Sequence, residues 1–165
     1  MKSSLLMNFS VDKVNKKVNV EREFAAPVKN VWAAWTQAEL LDQWWAPKPW
    51  KAQTKTLDFK EGGHWLYAMV GPEGEEHWAR ADYQSIASMK NISWADAFCD
   101  ENGKPNHAFP SSKWNNIFSE TADGHTLVSI EIIHETTEDL EKIIEMGFKE
   151  GFTAGLNNLD ELLAQ

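Results

Sequence analysis

Cysteine is nearly absent from this chain. Cys99 stands alone, which excludes an internal disulfide and any metal site built on several thiolates. Basic residues are outnumbered, 16 Lys and Arg against 25 Asp and Glu, for a formal charge of −9. A surface of that sign repels phosphate backbones, and no basic stripe offsets it, so nucleic acid is not an expected partner. No run approaches the roughly 20 apolar residues that cross a bilayer, so membrane insertion is not expected. The N-terminal patch of MKSSLLMNFS is cut short by Asn8, Ser10 and Asp12 and makes a poor secretion signal. A soluble, cytoplasmic protein is predicted.

Tyrosine is scarce too, with two residues, but tryptophan is not: nine Trp and eight Phe stand among 165 residues. Each such ring buries about 150–250 Å², so a handful of them dominates any interior. Three of the indoles fall in LLDQWWAPKPW (Leu40 to Trp50). There they could floor a core, wall a pocket or anchor a partner.

Lys17 to Phe24 alternates, with Val18, Val20, Arg22 and Phe24 on one face, which predicts a half-buried strand. Pro27 suits a helix start. The spacing of Val31, Trp32 and Trp35, then Leu40, Leu41 and Trp44, predicts two short helices, ended by Pro47 and Pro49. About six strands follow, among them HWLYAMV, EEHWARADYQSI, NISWADAF, WNNIFSE and TLVSIEIIH. The loop CDENGKPNHAFPSSK interrupts them. Thr136 to Leu163 reads as one long amphipathic helix, with Thr136 and Asp139 as a capping pair. No linker divides the chain. One domain over 17–165 is expected, with 1–16 an extension or a short extra strand. The economical architecture is α+β, a curved antiparallel sheet folded around the C-terminal helix.

Strand register follows from the turns, and a slip of one residue would reverse it. Centring the first hairpin on Glu73 puts Trp65, Tyr67 and Met69 on one face with His77, Ala79 and Ala81. A turn near Ser88 adds Tyr83, Ile92, Trp94, Asp96 and Phe98. Trp114, Asn116 and Phe118 share a side with Val128, Ile130 and Ile132. Large rings, alanines, a carboxylate and an imidazole are thus mixed inward. This fits either a packed core with satisfied polar atoms or an apolar cavity with a few orienting groups. Gly147, Gly151 and Gly155, spaced by four, would stack along one stripe of the helix beside Phe148, Phe152, Leu156 and Leu159. Each costs roughly 1 kcal/mol against Ala in a helix. Either the helix presses on the sheet there or the missing side chains leave space.

The segments REFAAPVKNVWAAWT, LLDQWWAPKPW, EGGHWLYAMVGPEG, DAFCDENGKP and EMGFKEGFTAGLNNLDELL resemble the SRPBCC or START-like superfamily. Within it they resemble proteins related to the C-terminal domain of the heat-shock protein 90 ATPase activator. The resemblance implies a helix-grip fold of the START/Bet v 1 type, with a cavity between sheet and helix. It also implies binding of apolar ligands, or in some relatives aromatase/cyclase activity. Eukaryotic-type activators carry a further N-terminal domain that sixteen leading residues cannot supply, so a chaperone role does not transfer by name.

The expected ligand-binding set is Trp35, Trp44, Trp45, Trp65, Tyr67, Met69, His77, Tyr83, Trp94, Asp96, Phe98, Trp114, Phe118, Gly147, Gly151 and Phe152. The expected guest is a small apolar or aromatic molecule, with Trp44, Trp45 and Trp50 at the mouth. The second reading is an interaction module that docks a chaperone or a second copy of the chain through a tryptophan surface. The third is a cyclase-like enzyme using Asp96, His77 and Tyr67 for acid–base work. No cofactor is expected. His64, His77, His107, His125 and His134 lack metal-ligand spacing, so no metal is expected either. Arg22 and Asp96 are inward charges. They either pair with each other, meet a ligand, or in the case of Arg22 pair with a helix carboxylate.

Overall fold

The computed structural model describes residues 5–165. Its elements are β1 (Met7–Asp12), β2 (Lys17–Phe24), α1 (Val28–Thr36), α2 (Ala38–Trp44), β3 (Lys51–Leu57), β4 (His64–Val70), β5 (Glu76–Ala87), β6 (Asn91–Cys99), β7 (Ser112–Glu120), β8 (Thr126–His134), α3 (Thr137–Glu145) and α4 (Phe148–Leu163). One antiparallel sheet holds all eight strands in the order β1-β2-β8-β7-β6-β5-β4-β3. Bulges interrupt β3 at Thr54/Thr56 and β5 at Tyr83/Ser85, where an unpaired residue bends a strand.

The register expected from the turns is the observed one. Tyr67 faces Ala79, Met69 faces His77, and Ala81 faces Asp96. Trp114 pairs with Ile132. The inner surface therefore carries Val18, Val20 and Phe24 from β2 and Val128, Ile130 and Ile132 from β8, all essentially inaccessible. Arg22 is buried in the same row. Its guanidinium donates to Asn157 Oδ1 at 2.9 Å and lies 3.9 Å from Asp160 Oδ2, both on α4. Its partner is thus the helix and not Asp96. Removal from water lowers the Arg22 pKa, and Asp160 opposes that shift.

The C-terminal region is two helices where the periodicity predicts one. Thr136 caps α3, its hydroxyl accepting from Asp139 N at 3.0 Å. The break lies at Met146 and Gly147, where Gly147 takes φ +91°. That left-handed conformation suits a residue without Cβ and ends α3. The three glycines consequently have three different surroundings. Gly147 turns the chain. A Cβ on Gly151 would meet only Pro47 Cγ, at 3.9 Å, whereas one on Gly155 would lie 3.1 Å from Trp45 O and 3.3 Å from Trp44 O. Gly155 is where α4 presses its backbone against the end of α2.

Candidate functional site

Two regions of the inner surface differ in filling. Beneath α1 and α2 the rings close on one another. Trp35 packs on Trp44 at 5.1 Å, Trp94 at 6.4 Å and Phe118 at 5.7 Å between centroids. Trp44 is fully buried and its Nε1 donates to Ala34 O at 2.9 Å. Trp65 donates to Thr54 Oγ1 at 3.0 Å and stacks on Tyr67. Tyr83 packs edge-on against Phe59 at 5.0 Å.

Beneath α3 and the start of α4 a cavity of about 270 Å³ remains. Of the expected residues, Trp45, Tyr67, Met69, His77, Asp96, Phe98, Trp114, Gly147, Gly151 and Phe152 border it. Trp35, Trp44, Trp65, Tyr83, Trp94 and Phe118 do not. Trp65, Tyr83, Trp94 and Phe118 share the inward face, but α1 and α2, which carry Trp35 and Trp44, cover their end of the sheet. Trp45 separates the two regions, touching Trp35 and Trp65 on one side and Trp114 and Phe152 on the other. Of the three tryptophans expected at the mouth, Trp44 is core and Trp45 is cavity wall. Trp50 packs on exposed His77 at 5.3 Å.

Sequence reasoning misses Ile143, Met146 and Phe148, because the bend at Gly147 is what turns α3 toward the sheet, and it misses Pro47 in the segment between α2 and β3. It also misses Pro110, Ser112, Ile132 and His134. Ser112 and His134 are recoverable, since each continues an inward strand row by two residues beyond Trp114 and Ile132. The long loop is held at both ends. Lys55 donates to Glu101 O at 2.7 Å and Arg80 to Gly103 O at 2.8 Å, on the outer face. Phe109 packs on Phe98 at 5.4 Å, with Lys142 5.3 Å above its ring.

The polar groups of the cavity form a lateral row. Asp96, Ser112 and His134 are neighbours across β6, β7 and β8. Asp96 Oδ1 accepts from Ser112 Oγ at 2.6 Å and from Ser112 N at 3.2 Å. Trp114 Nε1 donates to Ser112 Oγ at 3.2 Å. Burial nevertheless pushes the Asp96 pKa up to about 6, against the lowering effect of those bonds. His134 is 3% exposed, and neither ring nitrogen has a hydrogen-bond partner. Its burial lowers its pKa, with Asp139 of α3 acting in the opposite sense. A neutral imidazole in that position keeps one donor and one acceptor. Burial likewise raises the Tyr67 pKa, and the hydroxyl accepts from Trp45 Nε1 at 3.0 Å. Among the described hydrogen bonds none joins any two of Asp96, His77 and Tyr67, the three groups of the cyclase reading.

One cluster among the described residues has ligand atoms close enough for a metal, namely Glu23, Asp123 and His125. It lies outside the cavity, and its core is an ion-pair geometry, His125 Nδ1 to Glu23 Oε2 at 2.8 Å. No tryptophan forms an exposed docking surface. Seven of the nine are buried and Trp50 and Trp78 are half-buried, Trp78 beneath Lys55 at 5.7 Å.

A curved antiparallel sheet closed by a C-terminal helix, with a cavity between them, defines the helix-grip class. The chain belongs to the family described as Activator of Hsp90 ATPase homolog 1-like protein, whose profile matches residues 25–164. Similar solved structures include protein Ms6760 from Mycobacterium smegmatis, with 28% identity, 96% of each chain covered and a TM-score of 0.88. A protein from Arthrobacter aurescens has 29% identity over 95% of this chain and 91% of its own, with a TM-score of 0.89. Protein NE0264 from Nitrosomonas europaea has 29% identity over 94% of this chain and 97% of its own, with a TM-score of 0.78. No curated protein matches the sequence. No helix among the described residues is long and apolar enough to cross a membrane.

Proposed function

We propose that this protein binds a small, largely apolar molecule between the sheet and the α3–α4 bend. The observation that carries the reading is the unequal filling of one aromatic surface. The same strands that pack rings solidly under α1 and α2 leave about 270 Å³ under α3 and α4. Apolar lining with a few polar groups at one place is the usual composition of a small-molecule site. The polar row supplies orientation, and Trp45, Trp114, Phe148 and Phe152 supply contact area.

Native mass spectrometry of gently purified protein, followed by organic extraction, tests the proposal. The expected result is a reproducible adduct of a few hundred daltons that is released on denaturation. A bare mass that persists after incubation with cell extract would overturn it.

A further inference from the structure

Among the described residues Asp96 is the one carboxylate bordering the cavity, and neither Lys nor Arg borders it. Ser112 gives both of its hydrogen bonds to Asp96 Oδ1, and the Trp114 indole adds a further lowering influence on the carboxylate; none of these groups carries a positive charge. A carboxylate at the wall of a mostly apolar cavity is costly without a counter-charge, and an incoming cationic donor offsets that cost. His134 adds a buried, unpartnered imidazole two strands away in the same row. Around them stand the rings of Trp114, Phe148 and Phe152, whose π faces attract cations. The polar end of the cavity is therefore rich in acceptors and negative in sign.

We propose that the cavity receives a small lipophilic amine as its ammonium ion, with the head against Asp96 and the apolar body along Trp114, Phe148 and Phe152. The inference rests on the ligand-binding reading above and specifies the chemistry of the guest. An ammonium brings three donors and the compensating charge. An alcohol of the same skeleton brings a donor without charge, and a carboxylate brings repulsion. Acidification works against the amine in two ways: Asp96 loses its charge near pH 6, and His134, its pKa lowered by burial, gains one only below the ordinary imidazole range. The other titratable groups near the row are Tyr67 of β4, Asp139 of α3 and, at the exposed side, His77 of β5. Tyr67 stays protonated, while Asp139 adds to the negative field. Lys142 of α3 lies over Phe109, and Lys149 and Glu150 of α4 do not border the cavity.

Calorimetric titration with 1-naphthylmethylamine, 1-naphthalenemethanol, 1-naphthoate and 1-methylnaphthalene tests this directly. At about pH 7.5 the amine is expected to bind about tenfold more tightly than the alcohol, with naphthoate weakest. That preference should vanish in Asp96→Asn and shrink at about pH 5, where the alcohol's affinity holds. Equal binding of amine and alcohol, or a preference for naphthoate, would overturn the inference while leaving the apolar cavity intact. Binding by none of the four would remove both readings. Should Asp96→Asn fail to melt cooperatively, the wild-type series at the two pH values decides alone.

Discussion

The two ends of the inner sheet surface are built from the same residue types and behave differently. At the end covered by α1 and α2, Trp35 and Trp44 of those helices and Trp94 of β6 have relative exposures of 1%, 0% and 2%. At the other end Phe98 is only half-buried and Met146 is 51% exposed. The strands do not cause the contrast, because both ends alternate in the same register. The helices cause it: Gly155 lets α4 come down onto the carbonyls of Trp44 and Trp45, whereas Gly147 and Gly151 border the cavity without a side chain to fill it. Aromatic content alone therefore says nothing about whether a region is core or site; what lies above the rings decides.

The largest expected effect falls at the closed end. Trp35→Ala should destabilise the protein by about 3–5 kcal/mol in denaturant unfolding, since the surrounding rings cannot collapse into so large a gap. Phe98→Ala at the open end should cost about 1 kcal/mol or less, because that ring already faces solvent on one side. Comparable losses at the two sites would break the distinction. Next comes Gly155→Val, expected to cost about 2–3 kcal/mol by overpacking. Its added atoms would meet backbone held in place by Asn158, which donates to Ala46 O at 3.0 Å. A neutral result would mean that α4 does not set the closed end.

Much of this division is beyond sequence reasoning. Alternation locates the strands, and hairpin symmetry about Glu73 gives the inward row correctly, because period-two geometry leaves no freedom once a turn is placed. Helical periodicity, by contrast, runs through Gly147 without a mark. The bend there depends on a positive φ that a glycine permits but does not announce. With the bend invisible, Trp35 and Trp94 cannot be distinguished from Trp114, and Ile143 and Met146 cannot be assigned to the cavity. Arg22 is legible only as an inward charge with alternatives, since its partners Asn157 and Asp160 lie 135 residues or more along the chain.

Stability should also report the polar row at the open end. The Asp96 pKa is about 6 in the fold and 3.8 in the reference state. A raised acid pKa means that folding is favoured most below pH 3.8 and that this contribution is lost as pH rises through about 6. The shift corresponds to about 1–2 kcal/mol after discounting for the cavity-facing oxygen. His134 has the opposite sign: its lowered pKa contributes stability above its ordinary value of 6.5, lost as pH falls through the folded value. Asp96→Asn should thus flatten the loss between pH 3.8 and 6 and leave the His134 limb in place. An unchanged profile would mean that water solvates Asp96 as it does a surface carboxylate.

The smallest expected change is the sharpest test of the comparison, because it separates stability from binding. Gly151 lies in α4 with only Pro47 near its missing Cβ. Gly151→Ala should therefore stabilise the protein by about 0.5–1 kcal/mol, the ordinary helix preference for Ala, seen as a raised unfolding midpoint. The same methyl group enters the cavity wall, so affinity for a guest that fills the cavity should fall even as the fold gains. Gly155→Ala places the same methyl against carbonyl oxygens at 3.1 and 3.3 Å and should lose the stabilisation without touching the cavity. If both substitutions stabilised alike, the close approach of α4 to α2 would not be what holds the closed end. If Gly151→Ala stabilised the fold and left guest affinity unchanged, the space beside Gly151 would lie outside the occupied part of the cavity.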